Sequence, residues 1–284
     1  VNGDGYSDVI IGAPDYDNGQ TDEGRAYVYA GSATGTGAAA LWVAESNSTG
    51  ALFGTAVSSA GDVNNDGYSD IVVGSPGFSN GQTNEGRIQV YHGSAAGPAA
   101  TANRTIESNS ALSRMGASVA LAGDVNNDGY SDVIVGSPDY TNGQTNEGRA
   151  QVFHGSAGGL TAAAGWWHES DQINAHEGWS VGGAGNVNGD TYSDIIVGAY
   201  LFDNGQTDEG RVFVFHGSFG GLVATPTWTA ESNQAGAQFG YSVACAGDVN
   251  GDGYSDVIIG SPDFDNGQAN EGRALVYYGS AAGL

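Results

Sequence analysis

Lysine is absent from this sequence of 284 residues, and all seven of its basic residues are arginine. Set against 32 carboxylates, they leave a formal net charge of −25. A surface that negative repels phosphodiester backbones and anionic lipid, so nucleic acid and membrane-surface partners are excluded. Cys245 is the single cysteine, so no intrachain disulfide can form; Ser59, Leu121 and Gly183 hold the equivalent positions, which marks Cys245 as a packing residue. No apolar run is long enough to span a bilayer as a helix, so membrane insertion is not expected. Helical periodicity of useful length is missing as well. There is no nucleophile elbow, phosphate-binding glycine loop or catalytic triad, and the chain is read as not being an enzyme. Nor does a leader precede the first motif: Val1 falls inside a repeated element, and the sequence reads as one that begins within a repeat.

What is abundant points one way. Glycine reaches 49 residues without the every-third-residue period of collagen, and aromatic residues reach 10%, too many for a disordered acidic chain. The expectation is a folded, turn-rich, all-β protein. Its carboxylates oppose folding unless cations neutralise some of them, and divalent metal fits that need.

The sequence repeats. Asp4, Asp66, Asp128, Asp190 and Asp252 lie 62 residues apart, as do the arginines of a Glu-Gly-Arg triplet (Arg25, Arg87, Arg149, Arg211, Arg273) and the asparagines that open an Asn-Gly-Gln triplet (Asn18, Asn80, Asn142, Asn204, Asn266). Each unit reads as four short strands, typified by 240–246, 256–260, 149–154 and 227–231. The second, with Val133, Ile134 and Val135 in a row, is expected to be buried on both faces. Four strands per repeat without helices predict β-propeller blades in preference to a solenoid, whose repeats are shorter. The chain holds about four and a half such repeats, five hairpin units, in one propeller-type domain over 1–284. Counted by acidic loop, the units are 1–61 (partial), 62–123, 124–185, 186–247 and 248–284 (partial).

One loop of each unit carries a calcium pattern. Asp124, Asn126, Asp128 and Asp132 supply side-chain oxygens at loop positions one, three, five and nine, and Tyr130 at position seven can offer its carbonyl. Alternate residues of a tight loop face a common centre, and calcium takes six to eight oxygens. Gly129 follows the third ligand, where a positive φ is expected. An EF-hand would need glutamate at position twelve, where this chain has Val135. Asp62, Asn64, Asp66, Tyr68 and Asp70 form a second complete set, and Asp248, Asn250, Asp252, Tyr254 and Asp256 a third. The fourth copy is weakened: Asn186 leads Asn188, Asp190, Tyr192 and Asp194, and Thr191 replaces the glycine. The first keeps Asn2, Asp4, Tyr6 and Asp8 without a leading aspartate. Up to five Ca²⁺ ions are therefore expected, in a structural and not a sensing role. The alternative is that these aspartates only make Asx-turns.

A second acidic loop joins the second and third strands, with Asp15, Asp17, Asp22 and Glu23 as one copy. The glutamate before Gly-Arg is expected to pair with an arginine or cap loop amides; a ligand surface or a weak extra cation site is the other reading. Trp42, Trp166 and Trp228 share one register, with Arg104 in the fourth copy, and are expected to pack between blades, stacking on sugars being the alternative. His92, His154 and His216 are read as strand residues. His168 and His176 fall near Trp167 and Trp179 in the most divergent repeat, where a local site would be sought first.

In this order, the elements resemble the FG-GAP repeat of integrin α-subunit propellers and their bacterial relatives. The Phe-Gly element reads Phe53-Gly54, Met115-Gly116, Glu177-Gly178 and Phe239-Gly240. The Gly-Ala-Pro element reads Gly12-Ala13-Pro14, Gly74-Ser75-Pro76, Gly136-Ser137-Pro138, Gly198-Ala199-Tyr200 and Gly260-Ser261-Pro262. The resemblance implies a β-propeller with calcium in loops on one face, an extracellular or cell-surface setting, and work in adhesion or in binding a protein or glycan ligand. A calcium-dependent carbohydrate-binding propeller is the alternative, and a non-catalytic part of a polysaccharide-degrading enzyme or phospholipase a third. Propellers of the integrin type have more blades than this chain has repeats, so the chain is expected either to be a fragment of a longer array, with self-association through open blade edges, or to form a smaller five-bladed ring.

Overall fold

The computed structural model describes all 284 residues and contains strands, turns and no helix. No element is long and apolar enough to cross a membrane as a helix. Eighteen strands form five antiparallel sheets. The first is β1 (Val9–Ala13), β2 (Arg25–Tyr29) and β3 (Trp42–Glu45); the second is β4 (Val57–Gly61), β5 (Asp70–Ser75), β6 (Arg87–Tyr91) and β7 (Arg104–Glu107). The third is β8 (Ser118–Gly123), β9 (Asp132–Ser137), β10 (Arg149–Phe153) and β11 (Trp166–Glu169). The fourth is β12 (Ser180–Gly185), β13 (Asp194–Ala199), β14 (Arg211–Phe215) and β15 (Trp228–Glu231), and the fifth is β16 (Ser242–Gly247), β17 (Asp256–Ser261) and β18 (Arg273–Tyr277). The four expected strands fall within two residues of these bounds, and neighbours in sequence are neighbours in each sheet.

The chain divides into two compact units. One comprises 1–121, 130–133 and 153–163; the other comprises 122–129, 134–152 and 164–284. In the first unit, Ala26 and Val28 of β2, Ile71 and Val73 of β5, Trp42, Phe53 and Tyr91 make one buried cluster. In the second, Ile196, Val212 and Val214 meet Phe239, Val257 and Ile259 in the same way. Complete burial of a Phe such as Phe53 or Phe239 contributes about 1.5–3 kcal/mol. Every residue of β5, β9 and β13 is buried, as their uninterrupted apolar runs require.

The two glycine-rich elements of the repeat meet as backbone against backbone. A Cβ on Gly12 would fall 1.9 Å from the carbonyl oxygen of Gly54, and one on Gly198 would fall 2.1 Å from that of Gly240. No side chain fits at either place. The glycine of Glu-Gly-Arg is equally constrained: Gly24 has φ +78° and a Cβ there would meet the Phe53 carbonyl at 2.2 Å. These are the contacts by which one sheet docks against the next inside each unit.

Candidate functional site

The acidic loops begin where the first strand of each sheet leaves its partner. A β-bulge between Ser59 and Gly61, and likewise between Gly183 and Gly185 and between Cys245 and Gly247, shifts the register one pair before the loop opens. In the second loop, the leading Asp62 accepts the amides of Asp66 (3.0 Å) and Gly67 (2.8 Å). Asn64 Oδ1 accepts the Asp66 amide at 3.2 Å, and its Nδ2 donates to Asp66 Oδ2 at 2.9 Å. Asp66 Oδ1 accepts the Tyr68 amide at 2.9 Å. The oxygens of positions one, three and five are thus gathered on the inside of a single turn. The fifth loop repeats the arrangement: Asp248 accepts the amides of Asp252 and Gly253 at 3.0 and 2.9 Å, and Asp252 accepts that of Tyr254 at 3.0 Å. In the third copy, Asp124 accepts the Asp128 and Gly129 amides at 3.1 and 2.8 Å. In the first, Asn2 and Asp4 make the same contacts that Asn64 and Asp66 make. The expected turn glycines Gly5, Gly67, Gly129 and Gly253 have φ of 89°, 90°, 90° and 92°.

Position nine has a different environment. Asp70 is fully buried, and its two oxygens accept the amides of Val63 (2.9 Å) and Gly93 (2.8 Å). Asp194 and Asp256 do the same with Val187 and Gly217, and with Val249 and Gly279; Asp132 accepts from Gly155, and Asp8 from Gly31 and the chain's amino terminus. This aspartate therefore ties the loop to the end of the third strand. Burial pushes Asp194 up to about 6, and Asp70 in the same direction, against the pull of these amides. An oxygen that accepts one N–H keeps a lone pair, so this anchoring leaves room for a cation.

Three positions of the repeat, a histidine, a serine and the loop tyrosine, add contacts to the loops. His92, expected to be a strand residue, lies just past β6, with Nδ1 3.2 Å from Asn64 Nδ2; His154 Nδ1 is 3.4 Å from Asp132. Ser131 donates its amide to the Asp62 carbonyl at 3.0 Å and accepts the Asp62 amide at 3.2 Å, and Ser255 does likewise with Asn186 at 2.9 and 3.1 Å. The tyrosine ring also faces the preceding loop: a Cβ on Gly3 would fall 2.8 Å from Tyr68, and one on Gly189 would fall 2.5 Å from Tyr254. The tyrosine or serine of the second, third, fourth and fifth loops thus links each to the loop before it. Periodicity marked these residues, but partners one repeat away were not readable from it.

The fourth loop departs from the others. Asn186 turns its Nδ2 to the Asp190 carbonyl at 2.9 Å and accepts the Gly189 amide at 2.8 Å, whereas Asp62 holds the amides of positions five and six. Thr191 stays outside the left-handed region that the glycines adopt.

The second acidic loop resolves into two separate roles. The glutamate before Gly-Arg caps amides: Glu85 accepts those of Asn80 (2.7 Å) and Asn109 (3.1 Å), and Glu209 that of Asn204 (2.7 Å). The arginine pairs with the last residue of the fourth strand, as in Arg25–Glu45, Arg149–Glu169 (3.1 Å) and Arg211–Glu231 (2.7 Å). Its guanidinium lies over Tyr16, Phe78, Tyr140, Phe202 or Phe264 at 3.6–4.5 Å from the ring centre. Trp42 and Trp166 are packing residues: each is 7% exposed, with Nε1 on the carbonyl of Ala99 (2.8 Å) or Val223 (3.0 Å). Arg104 stands in for them by donating to the Leu160 carbonyl at 2.7 Å. Trp167 is different, being 52% exposed.

In the third repeat the Phe-Gly phenylalanine is replaced by Glu177, which is fully buried. His168 stands where the other repeats have Ala44, Ile106 and Ala230, and its Nδ1 is 2.8 Å from Glu177. Burial pushes Glu177 up, against the pull of His168. Burial opposes the imidazolium, yet the Glu177 carboxylate holds His168 above the ordinary histidine value. His176 reaches Asp139 at 2.8 Å and packs against Tyr200, beside Trp179 and Tyr241.

Repeated antiparallel sheets docked through paired glycines, each with an acidic loop at the same corner, define a protein built of β-propeller blades. The chain belongs to the FG-GAP repeat family: residues 1–29, 53–91, 115–153, 178–215 and 239–277 match that repeat. It is 31% identical over 217 residues to integrin alpha pat-2 of Caenorhabditis briggsae, covering 71% of this chain and 17% of that protein. It is 36% identical over 150 residues to mouse integrin alpha-7, covering 52% of this chain and 12% of that protein. Human phosphatidylinositol-glycan-specific phospholipase D is 31% identical over 233 residues, 76% of this chain and 27% of that protein. The chain thus spans well under a third of each of these relatives.

Proposed function

We propose that this chain is part of a calcium-stabilised β-propeller scaffold that acts outside the cell or on its surface, in adhesion or protein binding, without catalysing a reaction. The observation that carries the reading is the turn in which Asp62, Asn64 and Asp66, and equally Asp248, Asn250 and Asp252, gather oxygen donors above a buried Asp70 or Asp256. An all-oxygen set of mixed carboxylate, amide and carbonyl groups suits calcium. The amide bonds that make these turns Asx-like leave lone pairs for the ion: in the second loop each oxygen of Asp62 and Asp66 accepts a single N–H. Bound calcium offsets the repulsion among these acids and fixes the loops, leaving the exposed surfaces to meet a partner. Similarity to integrin α-subunits supports the adhesive role. The test is adhesion of cells to surfaces coated with the protein, in calcium and in chelator. Calcium-dependent adhesion is expected, and no adhesion in either condition would remove the adhesive part of the proposal.

A second reading, calcium-dependent carbohydrate binding, rests on Trp167. It is exposed at the edge of its sheet, in a groove with Asn142, Glu169 and Asp171. A glycan array probed with the wild type and with Trp167→Ala decides it; equal signals, or none, count against a sugar site there.

A further inference from the structure

The third repeat carries an acid that the others lack. Two residues beyond the fourth-strand glutamate the chain has Asn47, Asn109, Asp171 and Asn233 in turn. The backbone is the same in all four, with φ of 55°, 56°, 54° and 56°, so the change is one of charge and not of shape.

That charge falls on carboxylates already out of water. One oxygen from each of Glu147, Glu169 and Asp171 lies within 4.8 Å of the other two, and Glu147 and Glu169 are 0% and 8% exposed. In the second repeat both oxygens of the equivalent Glu85 are satisfied, by the amides of Asn80 and Asn109. In the third, the Asn142 amide reaches Glu147 Oε1, but Oε2 is buried with no partner. Unpartnered oxygens of Glu23 and Glu209 in the first and fourth repeats sit in loops where Gln20 or Gln206 also has a buried, unpartnered amide oxygen. What sets Glu147 apart is the added acid of its cluster, Asp171, where the first and fourth repeats have Asn47 and Asn233.

The cation touching the set is Arg149, 3.1 Å from Glu169. Three carboxylates against one guanidinium leave two negative charges. His168 and Glu177, close by, pair with each other. A buried carboxylate oxygen without donor or counter-charge is costly, and a divalent ion supplies what the arithmetic lacks.

We propose that Glu147, Glu169 and Asp171 form a divalent-cation site, separate from the acidic turns and peculiar to the third repeat. The donors are all carboxylate oxygens, which select a hard ion of the calcium type over zinc or copper. The groove lined by Asn142, Trp167, Glu169 and Asp171 gives the ion its way in to the cluster, with exposed Asp171 at the mouth.

The test uses terbium in place of calcium, with emission excited separately through tryptophan and tyrosine, alongside calorimetric calcium titration. Trp167 lines this groove, whereas the acidic turns carry tyrosine. Asp171→Asn installs the residue that three other repeats hold on the same backbone, so it melts as the wild type does in chelator. It is expected to lose the tryptophan-excited emission and about one equivalent of calcium, a hard ion needing its full oxygen shell. Asp66→Asn is expected to lower the tyrosine-excited emission and leave the tryptophan-excited emission intact. Equal tryptophan-excited emission and equal calcium stoichiometry in wild type and Asp171→Asn would overturn the site, whether or not the acidic turns bind calcium.

Discussion

The fourth and fifth acidic loops have nearly the same sequence, Asn186-Val-Asn-Gly-Asp-Thr-Tyr-Ser-Asp194 against Asp248-Val-Asn-Gly-Asp-Gly-Tyr-Ser-Asp256, and do not form the same turn. Both anchor a buried position-nine aspartate on two amides. They differ at the mouth. Asp248 draws in the amides of Gly251, Asp252 and Gly253, and these hold its carboxyl below the usual range, the Gly253 amide foremost. Asn186 instead directs a donor nitrogen at the Asp190 carbonyl. A cation requires oxygens, so two substitutions separate a turn organised as an anion from one that is neutral at its first position. The anchoring half of the loop is a folding device, and the mouth is where metal affinity is set.

That division predicts a hierarchy. The largest effect is expected from the anchor. Asp256→Ala strands the amides of Val249 and Gly279 and removes two charge-assisted hydrogen bonds, each worth about 1.5–3 kcal/mol. The variant should melt well below the wild type in chelator as well as in calcium, and an effect seen only in calcium would show that the anchor acts through the metal.

Next is the buried pair of the third repeat. Apolar replacement of a buried ion pair is often stabilising by about 1–4 kcal/mol, while removal of one partner costs about 3–5 kcal/mol. Glu177→Phe with His168→Ala restores the combination of Phe239 with Ala230 and of Phe53 with Ala44. The double variant is expected to unfold at higher denaturant than the wild type, and His168→Ala alone at lower. A double variant less stable than the single one would show that the pair does more than occupy a core position.

A smaller effect comes from the mouths. Asp252→Ala and Asp128→Ala should each abolish about one calcium equivalent, whereas Asp190→Ala removes a weaker site with fewer charged ligands. Equal losses in calorimetry would cancel the ranking. The smallest change is repair: Asn186→Asp with Thr191→Gly should tighten the fourth loop by about tenfold, or 1.4 kcal/mol. No gain in affinity would place the defect elsewhere in the turn.

The period, the all-β class and the paired strands were legible because they depend on residues close in sequence. So were the turn glycines: Gly67 and Gly253 follow the third ligand and need positive φ. The roles that escaped depend on contacts between residues that sequence spacing alone does not join. Position nine could be picked out as a carboxylate, but the Gly93 amide that holds Asp70 lies 23 residues further on, across a sheet. The Glu and Arg of Glu-Gly-Arg are opposite charges two residues apart, yet Gly148 between them has φ +79°, off the extended backbone, and they take separate partners, Arg149 with Glu169 and Glu147 with the Asn142 amide. Glu177 stands in the place of the Phe-Gly phenylalanine and His168 is a histidine in the divergent repeat, but nothing in their spacing joins them.

The central claim is that the complete acidic turns bind calcium and that this binding holds the fold. Thermal unfolding of the whole chain, in calcium at about 100 times the dissociation constant and in chelator, tests it most directly. Each site that binds only the folded state then adds about 2.7 kcal/mol. The account predicts a clear rise in melting temperature with calcium, reduced in Asp66→Asn and little changed in Asp190→Asn. Superimposable melts in calcium and chelator would contradict it.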